Sequence, residues 1–198
     1  MDMRSNRLSI FSVIAGVLLM GSVSAASASN LIGDPSFESG GAGWTFTASS
    51  GSGCGAEPDV GITGDAHSGS FSAYKNCFRN GTGSFSQTIS TSPGQAYFIE
   101  FWIAANGFQS GTVNVSFDGN TGYTDSSPGF QPYVQHSFIV TAGGATASFI
   151  VSGALAGGTY FVDDVSVTAV PEPGTVGLLV LGGLVVFASA RRNSDVRS

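Results

Sequence analysis

Tyr97-Phe98-Ile99-Glu100-Phe101-Trp102-Ile103 is the stretch whose reading decides the fold. Tyr97, Ile99, Phe101 and Ile103 recur at every second position with Glu100 and Trp102 between them, so one face of an extended strand is apolar and the other mixed. The same alternation returns on both sides. Phe85, Gln87 and Ile89 precede it; Val113, Val115 and Phe117, then His136, Phe138 and Val140, then Ala147, Phe149 and Val151, and finally Phe161, Val165 and Val167 follow it. Gly, Asn, Asp, Ser and Pro separate these runs, and residues 119–123 read as a turn region. Short strands at this spacing, with no helical window of useful length between them, predict an all-β domain, an antiparallel β-sandwich or jelly roll. The abundance of Gly, Ser, Thr and aromatic residues, with little Leu, Lys or Glu, agrees.

Working outward, the two ends of the chain differ from this middle. Arg4 and Arg7 precede an apolar run from Leu8 to Met20, and the small residues Val23-Ser24-Ala25 or Ala26-Ser27-Ala28 offer cleavage sites, so residues 1–28 read as a secretory signal peptide. At the other end Pro171-Glu172-Pro173 precedes an apolar run from Gly174 to Ala190 and the pair Arg191-Arg192. Those residues span roughly 25 Å as a helix, slightly under the hydrocarbon thickness of a bilayer, and they are apolar all round, so one C-terminal transmembrane helix is expected. The arginine pair marks its cytoplasmic side. This divides the chain into a signal peptide, a sandwich ectodomain at 29–169 and an anchor segment at 170–198, with Thr168-Ala169-Val170 as a short linker. Of the seven Lys and Arg residues five lie in the flanks, whereas Ser29–Val170 holds Lys75 and Arg79 against ten acids, 2 − 10 = −8. Such a surface is not suited to nucleic acid or anionic lipid.

The order of Pro-Glu-Pro, apolar helix and arginine pair closely resembles the PEP-CTERM sorting signal of Gram-negative bacteria. Gly174-Thr175 stands where Ser-Thr is usual, and Asp195 lies in the tail. The resemblance implies an exosortase-type processing enzyme as partner, an inner-membrane anchor before processing, and a cell-surface or extracellular-matrix location afterwards. A second resemblance covers the ectodomain. Asn30-Leu31-Ile32-Gly33-Asp34-Pro35-Ser36-Phe37-Glu38 with Gly43-Trp44, then Ser68-Gly69-Ser70-Phe71-Ser72, Phe85–Ile89, Pro93–Tyr97, Phe101-Trp102 and Val162–Val167, resemble in type and order the family 4/9 carbohydrate-binding modules and the wider galactose-binding-like jelly rolls.

Several residues stand out as candidates. Strict alternation puts Asp163 on the face of Phe161, Val165 and Val167, where an unpaired carboxylate is costly, and Asp164 on the other face. With Glu38 from the first strand it would offer oxygen ligands to a hard cation, and similarity to the modules above implies a structural Ca²⁺ at Glu38 and Asp163. The alternatives are a bulge that turns Asp163 outward, or backbone N–H groups that satisfy it. Cys54 and Cys77, in an exported chain, predict one disulfide; two separately buried thiols are the alternative. Glu100 and Trp102, with Asn114 on the following strand and Tyr74, Tyr123 and Tyr133 as candidates for the same face or its rim, make the polar-plus-aromatic mixture that binds sugars, so an extracellular polysaccharide is the expected ligand. Trp44 reads as core. No hydrolase, metalloprotease or phosphate-loop motif is present, His67 near Asp65 and Ser68 makes no triad by spacing, and the chain is read as a non-enzyme. The alternatives to polysaccharide binding are a structural matrix or adhesion protein without a sugar site and, behind it, a hydrolase with two facing carboxylates.

Overall fold

The computed structural model describes residues 28–47, 60–76, 81–107, 110–126 and 129–171. The expected signal peptide up to residue 27, the expected transmembrane helix from Gly174 to Ala190, Cys54, Cys77, and the sorting-signal residues Glu172, Pro173, Arg191 and Arg192 lie outside them. Among the described residues ten strands form: β1 Thr45–Thr47, β2 Val60–Thr63, β3 Ser72–Asn76, β4 Gly81–Ser90, β5 Ala96–Ala105, β6 Ser110–Phe117, β7 Asn120–Ser126, β8 Gln131–Thr141, β9 Thr146–Ala156 and β10 Thr159–Ala169. They build two five-stranded antiparallel sheets, ordered β1-β4-β9-β6-β7 and β2-β3-β10-β5-β8. The chain crosses between sheets rather than running along one, which is the sandwich that the alternation predicts.

The inner faces meet in one core. Phe85 and Ile89 on β4, Val113, Val115 and Phe117 on β6, and Phe149, Val151 and Leu155 on β9 face Tyr97, Ile99, Phe101 and Ile103 on β5 and Tyr160, Val162, Val165 and Val167 on β10. Each fully buried aliphatic or aromatic side chain contributes about 1.5–3 kcal/mol relative to leaving it in water. Phe37 and Trp44 close one side; their ring centroids lie 4.8 Å apart, and Trp44 also meets Phe85 and Phe149 at 5.9 Å. Trp44 is core, and its indole N–H donates to the carbonyls of Gly33 and Asp34, both at 3.1 Å. The buried Gln87 is satisfied by the same peptide, accepting from Gly33 N–H at 2.6 Å and donating to Gly33 C=O at 2.9 Å.

The opening segment 30–44 is a brace. Asn30 Oδ1 accepts the N–H groups of Ile32 and Val167, while its amide donates to Val165 C=O. Asp34, at φ 46°, accepts N–H groups from Ser39, Gly41 and Ala42 and so ties its own turn.

Three expectations are corrected here. Residues 119–123 are not a turn region: the chain reverses at Asp118 and Gly119, both at positive φ, and β7 starts at Asn120. β7 is an edge strand with one large apolar residue, Tyr123, so it lacks the alternation that marks the others. Second, the β10–β5 register shifts between Asp163 and Ser166, with Asp164 at φ 47°, and this bulge changes the phase. Val165 and Val167 face the core, whereas Asp163 pairs with Trp102 on the outer side, the side of Phe161. Third, Thr168 and Ala169 are part of β10, and the Val170 N–H donates to Ala96 C=O at 2.8 Å, so no linker separates the sandwich from Pro171.

Candidate functional site

Trp102 lies on the outer face of the β2-β3-β10-β5-β8 sheet, half-buried. Its partner across β10 is Asp163 and across β8 is Gln135; Glu100, two residues back, pairs with Ser166 and Ser137. Gln135 Nε2 donates to Glu100 Oε1 at 3.2 Å. Above Trp102 sits the segment 65–71, which joins β2 to β3. His67 stacks on the indole with centroids 3.8 Å apart and planes 15° from parallel, and Tyr133 meets the imidazole edge-on at 5.5 Å. The Tyr133 hydroxyl donates to Asp65 C=O at 2.9 Å. Burial, with the charges of Asp163, Asp65 and Asp164 behind it, pushes the Tyr133 phenol up to about 12.

Three carboxylates hold this segment. Asp163, fully buried, accepts the N–H groups of His67 at 2.8 Å and Ser68 at 3.0 Å on one oxygen and of Asp164 at 2.8 Å on the other. Burial raises its pKa above the ordinary carboxylate value, although the three N–H groups pull the other way. Asp164 accepts hydrogen bonds from His67 Nδ1–H and from the Ser68 hydroxyl, both at 2.7 Å. Glu38 accepts Ser70 and Phe71 N–H groups at 2.7 Å. The Ser72 hydroxyl, at the start of β3, donates back to Asp65 C=O in the loop. Gly69 stands at φ 63° with Glu38 where a Cβ would go, so this close approach requires glycine. Ser68 and His67 both point to Asp164, so the hydroxyl is not handed to the imidazole as nucleophilic activation requires.

Glu38 and Asp163 therefore meet at one loop, each through backbone N–H groups. Among the described residues no group of three or more His, Cys, Asp or Glu side chains gathers as a metal cage. The proposed sugar-binding set is divided by the fold. Glu100 and Trp102 share a face, but Asn114 lies on the outer side of the other sheet, where the Thr124 hydroxyl donates to it at 2.8 Å. Tyr123 pairs with the inward Val115 and turns between the sheets, its hydroxyl donating to Asp125 at 3.1 Å and its ring 4.3 Å from His136. Burial first, then Asp125, raises the Tyr123 pKa. The sequence reading assumed that consecutive strands share a sheet; β5 and β6 do not. Tyr133, one of the tyrosines expected at this face or its rim, meets His67 there; His67 and Gln135 are the residues it missed around Trp102, because their convergence depends on a loop folding over a strand from another part of the chain.

The second outer face differs in chemistry. Thr45, Thr47, Ser84, Ser86, Thr88, Thr112, Ser116, Ser148 and Ser152 cover the β1-β4-β9-β6-β7 sheet, with no charged or aromatic residue in that set. Thr88 and Ser148 hydroxyls are 2.7 Å apart.

Comparison with known proteins bears on both ends of this description. Residues 169–192 match the PEP-CTERM protein-sorting motif. Among curated proteins none matches the chain. Among solved structures it is similar to TmCBM61 in complex with β-1,4-galactotriose, at 18% identity and TM-score 0.55, over 72% of this chain and 100% of that one. It is likewise similar to a Stig cyclase from Fischerella sp. TAU, at 18% identity and TM-score 0.54, over 73% and 99% of the two chains. The K3 cleaved adhesin domain of Lys-gingipain from Porphyromonas gingivalis w83 shares 15% identity and TM-score 0.51, over 72% and 99%. At such identities the likeness is one of fold, and a cyclase and an adhesin on that fold leave the activity to be argued from the site. The chain carries a PEP-CTERM sorting motif behind a β-sandwich whose structural neighbours include carbohydrate-binding modules.

Proposed function

We propose that this is an exported, surface-sorted sandwich that binds extracellular polysaccharide through the outer face around Trp102. The observation that carries the reading is the joining of stacked rings, His67, Trp102 and Tyr133, with the Glu100–Gln135 pair on one side of one sheet. Rings offer a surface to the apolar face of a sugar, and the carboxylate and amide serve its hydroxyl groups. His67 already covers one side of the indole, so the ligand stacks at the imidazole or at the free edge of Trp102. A glycan array with the purified protein tests this: a polysaccharide should be retained, and both Trp102→Ala and His67→Ala should weaken retention by about tenfold, the loss expected for an aromatic anchor. An array without a hit, or one whose hits survive both substitutions, ends the reading.

A structural matrix protein is the second reading, favoured by the uncharged Ser/Thr face of the opposite sheet, which offers a ligand neither ring nor charge. A hydrolase has less support, because Ser68 is not activated and the acids around the loop are spent on N–H groups. Calcium belongs to the same proposal: Glu38 and Asp163, with neighbouring carbonyls, would hold it in exchange for part of their N–H bonds, supplying a charge for two acids on one loop. Repeating the array with chelator, and comparing melting temperatures with and without it, tests it.

A further inference from the structure

Among the described residues the last one tied to the sandwich, Val170, adjoins Pro171, the first residue of the Pro-Glu-Pro tripeptide within the sorting motif. Val170 donates its N–H to Ala96 C=O at 2.8 Å, and its C=O accepts Gln95 Nε2 at 2.6 Å. Just before it, β10 is held on one flank by β5, Ala169 opposite Tyr97, and on the other by the opening segment, through Leu31 N–H to Val167 C=O at 2.9 Å and the Asn30 side chain. Pro171 follows, exposed. From there to the apolar run at Gly174 three residues remain, a reach of about 10 Å when fully extended. With the apolar run at 174–190 entering a bilayer, as the sequence leads one to expect, the sandwich would have little slack with which to stand off, and the pole from which β10 leaves would face the membrane.

That pole is a prepared surface. The connections β4–β5, β6–β7 and β8–β9 end there and are laced to one another. Thr91 N–H and hydroxyl donate to the carbonyls of Ala145 and Gly144 at 2.9 and 2.8 Å, Gly94 N–H donates to Ala142 C=O at 2.8 Å, Ala142 N–H to Gln95 C=O at 2.9 Å, and Gly143 N–H to Asp118 Oδ2 at 2.8 Å. What it presents outward is mostly small: Ser92, Pro93, Gly94, Gly119, Gly143 and Ala145 are exposed, and Asp118, half-buried with the Gly143 N–H on its Oδ2, is the one charged residue of these three connections. On a domain whose residues 29–170 carry ten acids against two bases, a pole of small side chains with Asp118 as its one charge is where another protein can approach while meeting little charge or bulk.

We infer that this pole is the surface on which the membrane-embedded enzyme that processes the sorting motif seats, so that the enzyme reads the folded sandwich's end together with Pro171-Glu172-Pro173. The inference rests on the reading of the chain as a processed, sorted protein. The full-length chain is followed in cells that process it, by the shift of precursor to product on a gel. Ser92→Arg and Ala145→Arg, each placing a long cation on the pole, should slow conversion by about fivefold or more, a loss of roughly 1 kcal/mol in the encounter. Asn106→Arg, exposed on the opposite pole, should convert at the parent rate. A ten-residue Gly-Ser insertion between Val170 and Pro171 should abolish the effect of both pole substitutions, because contact is then no longer imposed by chain length. Melting temperatures of the purified variants separate slowed processing from misfolding; if one pole variant is unfolded, the other decides. Parent-like conversion of a folded pole variant, or equal slowing by Asn106→Arg, overturns the inference. Unchanged conversion when Pro171, Glu172 and Pro173 are all replaced by Ala would instead refute the sorting reading itself.

Discussion

Asp163 shows how a buried carboxylate is kept on N–H groups alone: three of them converge on its two oxygens, while burial still raises its pKa. Asp163→Asn replaces one acceptor by an NH₂ that faces a donor, and should cost about 1–3 kcal/mol by chemical denaturation. Asp164→Asn, at a partly exposed position, should cost less than about 1 kcal/mol. If calcium is bound as proposed, chelator lowers the parent melting temperature and Asp163→Asn removes that response; a chelator-indifferent parent leaves the N–H caps as the complete account. The pH dependence follows the raised pKa. Folded Asp163 holds its proton to higher pH than the unfolded chain does, so its contribution to stability is full below the ordinary carboxylate pKa and is lost as pH rises through the folded value. His136 acts oppositely. Burial lowers its pKa despite Asp125, and its Nε2 is buried without a hydrogen-bond partner among the described residues. The folded state therefore resists protonation, and stability present above the unfolded His pKa falls as pH drops through it toward the folded value. Denaturation between pH 7.5 and about 5 should show that fall, and His136→Phe should flatten it; an equal slope in the variant would show that another group is responsible.

At the scale of elements, the β10 bulge and the 65–71 loop form one device. The bulge turns Asp163 outward, the loop folds over it, and His67 is thereby laid on Trp102. Gly69→Ala should disturb it twice, through positive φ and through contact with Glu38, and lower stability by about 1–3 kcal/mol while loosening the His67–Trp102 stack. Trp102 fluorescence would report the second effect; an unchanged spectrum would mean that the stack does not depend on Glu38 bracing the loop. Gly122 is the corresponding position between sheets. A Cβ there would collide with the Phe138 ring, so Gly122→Ala should force β7 away from β8 at a cost of the same order. These strands are legible from the sequence in unequal measure. β4, β5, β6, β8 and β9 declare themselves by alternation because each has one face in the core. β7, and the short β1, β2 and β3, lack a long enough alternating run, being edge strands or strands whose apolar contacts are few.

At the scale of the whole molecule, the sorting motif at 169–192 marks an exported, surface-sorted protein, and a processing enzyme of the exosortase type is its implied partner. Replacing Arg191 and Arg192 should impair retention at the inner membrane, read by fractionation; mature protein in the cytosol with Met1 intact would contradict export. The disulfide expected between Cys54 and Cys77, residues outside those described, closes a loop of about two dozen residues worth roughly 3 kcal/mol in chain entropy, so reduction should lower the melting temperature. Two free thiols in native exported protein would remove it.

By itself the sequence determined the address and the architecture. The sorting motif at 169–192 is local in composition, and alternation along Tyr97–Ile103 is local in period, so neither requires knowledge of what lies across the fold. The tertiary structure decided which residues meet. Trp102 and Asn114 are twelve positions apart on successive strands that look alike, yet the crossing between sheets sends them to opposite faces, and one bulge reverses the side on which Val165 follows Asp163. Register, bulges and loop docking arise from contacts between distant segments. Only the folded chain could place His67 over Trp102 and tie Val170 to the sandwich at the threshold of its sorting motif.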